Sequence, residues 1–169
     1  MLARIRTIRN RRRWSRLQRF RRDESGVQLV EVTIVLPIFL IFFAATAEFG
    51  RYFYEYTTLA KATRAGSRYL VTQPFTALEK ATTKNIVVYG NPAGTGLPIL
   101  PDLDPSHVVI TSEGGVALVP ERVKVQIIGY KHQPIFDLGA LTNSSGLSTN
   151  IDVKPSVTMR YLLTQPPPI

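Results

Sequence analysis

Val27-Gln28-Leu29-Val30-Glu31-Val32-Thr33-Ile34-Val35-Leu36-Pro37-Ile38-Phe39-Leu40-Ile41-Phe42-Phe43-Ala44-Ala45-Thr46-Ala47-Glu48-Phe49-Gly50 is the stretch on which the fold turns. Between Glu31 and Glu48, sixteen consecutive residues carry no charge. As a helix rising about 1.5 Å per residue they cover only about 24 Å, short of a hydrocarbon core about 30 Å thick. The full stretch 27–50 reaches about 36 Å and is long enough to cross. That extent places Glu31 one turn inside one boundary of the span. Pro37 is expected to kink or loosen the helix locally, which membrane helices tolerate.

On the N-terminal side the chain is strongly basic. Residues 1–26 hold ten Arg against Asp23 and Glu24, a net +8, while the other 143 residues are nearly balanced at +1. The high isoelectric point therefore describes a leader rather than a domain. A basic leader beside an apolar helix reads as a topology signal that holds this end in the cytoplasm and places residues beyond about 50 outside. With the leader set aside, little electrostatic case for nucleic-acid binding remains. The chain has no Cys, which removes disulfides and thiolate metal sites.

On the C-terminal side the helical pattern continues to about Val71 and stops before Pro74, because the residue preceding proline disfavours helix. Phe49, Phe53, Tyr56, Ala60, Thr63 and Leu70 mark its apolar face, with Tyr52, Leu59 and Gly66 alongside and Arg51, Glu55, Arg64 and Arg68 mostly opposite. Glu48 with Arg51, and Arg51 with Glu55, stand at intrahelical ion-pair spacing. Aromatic residues gather where the helix leaves the membrane, as in an interfacial belt.

Thr76-Ala77-Leu78-Glu79 has the form of a capping box and predicts a short helix to about Lys84. Short β-branched or alternating runs at 86–89, 108–111, 122–127 and 156–161 predict strands. The expected fold class is α+β: a long N-terminal helix, transmembrane then amphipathic, packed on a small, mainly antiparallel sheet. The expected segments are a leader at 1–26, a membrane helix at 27–50, a helical extension at 51–72, an extracytoplasmic module at 73–164 and a Pro-rich tail at 165–169.

No pattern reads as an active site, and no cofactor or metal is implied. His107 and His132 have no carboxylate at ligand spacing and read as surface or loop residues. Asp102 and Asp104 lack the further oxygen donors a cation needs. The glycine-rich segment 90–96 lacks the Lys-Ser/Thr of a phosphate loop and reads as a turn.

The informative constellation stands at the head of the apolar helix. Gly26, then Gln28-Leu29-Val30-Glu31 with the acid at the fifth position, follows a basic leader, and Val35-Leu36-Pro37 and Glu48-Phe49-Gly50-Arg51 come after it. Together with Thr63-Arg64-Ala65-Gly66-Ser67-Arg68-Tyr69 this resembles the TadE-like family, minor pilins or pseudopilins of tight-adherence (Flp-type) pilus assembly. Val32 stands where family members often carry an aromatic residue, and Val27 is an ordinary first residue. The resemblance implies cleavage between Gly26 and Val27 by a prepilin peptidase and an assembly role for Glu31. It also implies a place in the bacterial inner membrane among other pilin-like subunits and pilus assembly proteins, with no enzymatic activity and no nucleic-acid partner. Two other readings are an uncleaved signal anchor with an extracytoplasmic binding domain, and a secreted protein cleaved after Ala47 in Ala45-Thr46-Ala47.

Overall fold

The computed structural model describes residues 24–137, 139–140, 143–144, 146 and 148–164. The leader up to Asp23 and the tail at 165–169 lie outside the described residues. Helix α1 is Glu24–Leu70, α2 is Ala77–Tyr89, and a 3-10 turn at Pro105–His107 leads into strands β1 (Val108–Val116), β2 (Val119–Ile127) and β3 (Ser156–Arg160). The chain divides into two compact units, one ending at Ala45 and the other beginning at Thr46.

In the first unit α1 is apolar on every side. Val27, Leu29, Ile34, Phe39, Ile41 and Phe43 are all more than half exposed although they point in different directions around the axis. A helix of this kind has no polar face to give to water, and among the described residues α1 alone is long and apolar enough to cross a membrane. Pro37 cannot donate to the carbonyl one turn earlier, yet α1 stays continuous through it. Thr33 Oγ1 donates back to the Leu29 carbonyl at 2.7 Å.

In the second unit α1 presents a narrow buried stripe: Glu48, Leu59, Thr63, Gly66, Ser67 and Leu70. Thr63 and Ser67 close their hydroxyls onto the helix's own carbonyls, so they pack without orphaned polar atoms. Gly66 marks the close approach of α2: a Cβ there would stand 2.5 Å from Val87 Cγ2 and 3.3 Å from Thr83 Cγ2. The apolar face expected from sequence is buried at Leu59, Thr63, Gly66 and Leu70 but not at its first aromatic positions. Phe49, Phe53 and Tyr56 are exposed, while Glu55 turns toward the module. The stripe follows the helical period through small and polar residues that suit tight packing; Tyr52 packs against it, and Phe49, Phe53 and Tyr56 stand outside.

Helix α2 is longer than the sequence indicates. Thr76 Oγ1 accepts the Glu79 N–H, but the Glu79 carboxylate takes the Tyr69 hydroxyl at 2.6 Å instead of closing a capping box. Residues 86–89, expected as a strand, are its last turn. Val87 and Val88 are fully buried there, and Gly90 ends the helix in the left-handed region with φ 73°, its N–H on the Ile86 carbonyl. Burial of the two valines on the helical face outweighs their β-branched preference. The turn at 90–96 is as expected, with the Asn91 side chain bonded to the backbone of Tyr89 and Thr95.

The sheet has order β1-β2-β3, both pairings antiparallel. Val116 pairs with Val119 at the hairpin apex, and Val123 of β2 faces Ser112 and Met159 on its two neighbours. Alternation in β2 buries Val123, Val125 and Ile127, which join Leu59, Leu70, Val87, Val88 and Val153 in one core. Segments flanking the sheet meet α1 and the residue that follows it at two levels. Near the start of β2 Glu121 accepts the Tyr161 N–H, and the next residue, Leu162, donates to the Val71 carbonyl at 3.1 Å. Beyond the end of β2, His132 reaches Glu48. From Glu48 to Val71 a helix covers about 35 Å, and from Glu121 to His132 an extended chain covers about the same.

Candidate functional site

Two constellations stand out, one in each unit. The first is the start of α1. Gly26 and Val27 are exposed, and a Cβ added at Gly26 would meet nothing within 4 Å. Both residues are helical, whereas the helix expected from sequence begins only at Val27. Glycine weakens a helix by about 1 kcal/mol relative to alanine, so unwinding is cheapest at this point. Glu31 is exposed one turn beyond Val27 on the same side, four residues being just over one helical turn. Among residues 27–47 it is the single charged group.

The second constellation is built on the turn of α1 that ends the apolar run. Glu48 is only 4% exposed and uses both carboxylate oxygens. Oε1 accepts the backbone N–H groups of Ile135 at 2.8 Å and Phe136 at 3.0 Å, and the Arg51 guanidinium at 3.3 Å. Oε2 lies 3.0 Å from His132 Nε2, and the other ring nitrogen, Nδ1, lies 2.8 Å from Glu55 Oε2. Arg51 also donates to the Gln133 carbonyl at 3.4 Å. Tyr52 packs edge-on against the imidazole, with ring centres 5.9 Å apart.

Proton counting defines what this cluster can do. Ionised carboxylates only accept, so two hydrogen bonds to one imidazole need two protons among the three groups. Whichever atoms carry them, Glu48, His132 and Glu55 together bear one negative charge, and Arg51 neutralises it. Both ring nitrogens are occupied, so His132 has no free lone pair to offer a substrate; it joins strand to helix. An open recess of about 440 Å³ beside the cluster is lined by Ala47, Gly50, Arg51, Tyr54, Glu55, Leu100 and Pro101.

The surface position expected for His132 is therefore not what the structure has: the residue is 1% exposed and pairs with acids 84 and 77 positions away. The sequence signal that could have found it is the spacing of Glu48, Tyr52, Glu55 and Leu59, which puts two acids on one helical stripe with core residues. The expected Glu48–Arg51 pair is present; Glu55 turns to His132. His107 has a local structural role, its Nδ1 accepting the Asp104 N–H while Asp104 Oδ1 accepts the Ser106 N–H. Asp104 is thus occupied in capping the 3-10 turn.

The family model described as TadE-like protein matches residues 26–68. The match runs along α1 from Gly26 past Glu31, Glu48, Arg51 and Glu55 to Arg68, and the sheet lies beyond it. No curated protein and no solved structure matches the chain.

Proposed function

We propose that this chain, TadE-like over residues 26–68, is a minor pilin or pseudopilin that takes part in assembly of a tight-adherence (Flp-type) pilus. In this reading a prepilin peptidase removes the basic leader between Gly26 and Val27. Residues 27–50 then hold the subunit in the bacterial inner membrane, with the α+β module on the periplasmic side. The observation that carries the reading is that the matched segment opens with a helical stretch, residues 27–47, that is apolar all round and bears one acid near its start. Such a surface is satisfied by lipid or by other apolar helices; the bilayer supplies the first and pilin-like subunits the second.

Glu31 gives the reading its mechanism. An acidic side chain at the centre of a membrane helix costs about 2.5–3.5 kcal/mol on the insertion scale, and less toward the end. Before cleavage Arg21 and Arg22 are the nearby cations in sequence. Cleavage removes them and creates a positive α-amine at Val27. Pairing of Glu31 with that amine on a neighbouring subunit recovers part of the cost and sets the axial register between helices. In this reading the partners are other pilin-like subunits and inner-membrane assembly proteins.

Secretion with cleavage after Ala47 is disfavoured by local structure. Ala47 is helical, and unwinding there would disturb Glu48, whose carboxylate holds four donors. The test is the mature N-terminus by mass spectrometry in cells with the cognate peptidase. Val27 is expected; Met1 would leave an uncleaved anchor and Glu48 a secreted protein. Given Val27, Glu31→Ala should insert and be cleaved yet lose crosslinks to pilin-like partners, with Glu31→Gln intermediate. Undiminished crosslinking by Glu31→Ala would reduce Glu31 to a surface carboxylate.

A further inference from the structure

The loop that follows β2 is held at the level where the apolar run of α1 ends. Glu48, the residue after Ala47, takes the N–H groups of Ile135 and Phe136, and Arg51 takes the Gln133 carbonyl. These bonds fix the backbone and leave the two side chains pointing away from the core, Ile135 68% and Phe136 48% exposed. Ile151 stands at the same end of the module, half exposed, its carbonyl bonded to the His132 N–H. Cations flank the loop: Lys131 is exposed and Arg51 is part-exposed. On α1 itself Phe49 and Phe53 are exposed at this level.

Two adjacent large apolar side chains, pinned outward by hydrogen bonds to a buried carboxylate, have no reason to face water. The arrangement of apolar residues with basic neighbours fits the boundary between acyl chains and phosphate headgroups, where amphipathic elements sink about 5–10 Å. We propose that this loop is a second membrane contact, with Ile135 and Phe136 seated in the headgroup–acyl boundary of the bilayer that residues 27–50 cross. The inference rests on that crossing. The recognising chemistry is a phospholipid surface: apolar side chains enter it, and the exposed Lys131 meets the phosphates.

The test uses the full chain reconstituted into phosphatidylcholine–phosphatidylglycerol vesicles whose acyl chains carry bromine either near the headgroup or near the chain end. Trp14 is the only tryptophan; it is replaced by Phe, and single tryptophans are introduced as Phe136→Trp, Ile135→Trp, Phe39→Trp and Leu118→Trp. The loop bonds are made by backbone N–H groups, so the loop variants keep them. Phe136→Trp and Ile135→Trp are expected to lose fluorescence most with bromine near the headgroup, and Phe39→Trp with bromine nearer the chain end. Leu118→Trp, at the hairpin apex beyond the far end of β2, is expected to stay bright. Quenching of both loop variants no greater than that of Leu118→Trp, with Phe39→Trp still quenched, overturns the loop contact and leaves the membrane helix standing. An unquenched Phe39→Trp overturns the crossing itself and the loop contact with it.

Discussion

Replacing Glu48 by alanine tests whether the buried cluster organises the module. The substitution removes the acceptor of four donors, but they are not equally exposed to the loss. Ile135 and Phe136 lie on an exposed loop, and their N–H groups can turn to water; Arg51 is part-exposed and does the same. His132 is 1% exposed and cannot. A buried donor left without its partner costs about 1–3 kcal/mol, and the lost partner here is a carboxylate, so Glu48→Ala is expected to destabilise the module by about 2–3 kcal/mol. The readout is urea unfolding of the full chain in detergent micelles, followed by the circular dichroism of the sheet. Hydrogen exchange at the Ile135 and Phe136 amides should accelerate in the same variant. His132→Phe keeps an edge-on ring against Tyr52 while removing both nitrogens, and the double variant should show a coupling of about 0.5–3 kcal/mol. A Glu48→Ala cost below about 0.5 kcal/mol, the range of an ordinary surface change, with additive double-variant energies, would refute the reasoning.

Gly26→Leu should leave membrane insertion and helix content unchanged, because nothing lies within 4 Å of an added Cβ. It should retain Met1 at the N-terminus in cells with the peptidase, and a mature Val27 terminus would show that the position is not read. Gly66→Ala gains about 1 kcal/mol of helix propensity but drives a methyl to 2.5 Å from Val87 Cγ2, an overpacking cost of about 1–3 kcal/mol. A net loss in the urea midpoint is expected, and a stabilised variant would contradict the close crossing. At Asp137 burial pushes the carboxyl's pKa up, but the Gly139 and Thr149 N–H groups and the Ser148 hydroxyl outweigh it and hold the pKa below the ordinary value. A lowered folded-state pKa adds stability above the unfolded-state value and loses it as pH falls through the folded one. The thermal-midpoint gap between wild type and Asp137→Asn should therefore be open at pH 7 and close below about pH 4; a gap that persists in acid would exclude this carboxylate as its source.

Much of the architecture is legible in the sequence because it depends on patterns that neighbouring residues create. The uncharged run marks the apolar helix, the alternation at 122–127 and 156–161 places β2 and β3, and Gln73-Pro74 stops α1 within a residue or two. The errors come from contacts distant in sequence. The expected face of α1 is buried at Leu59, Thr63, Gly66 and Leu70, but its aromatic members Phe49, Phe53 and Tyr56 stay exposed, and Ser67, absent from that reading, packs beside Thr63. Residues 86–89 have strand composition, but α2 buries Val87 and Val88 as a helix. His132 gives no local sign of burial, because its partners are two turns apart on α1 and far away in the chain. Gly26 and Glu31, by contrast, are singled out through local spacing alone, and both are exposed.

The attachment of β2 and its flanking segments to α1 at two well-separated levels has a rotational consequence. A helix fastened at one point can spin about its own axis beneath its partner. Here the Glu48–His132 contact holds one end and the Leu162–Val71 bond holds the other, about 35 Å away, with Tyr161 donating its hydroxyl to the Gln73 carbonyl beside it. The azimuth of residues 48–71 is thereby locked to the sheet. Phe53, Lys61, Arg64 and Arg68, exposed along this length, keep a constant bearing toward whatever lies beside the subunit. Any torque on this part of the helix swings the hairpin apex with it, as a key turns with its shaft.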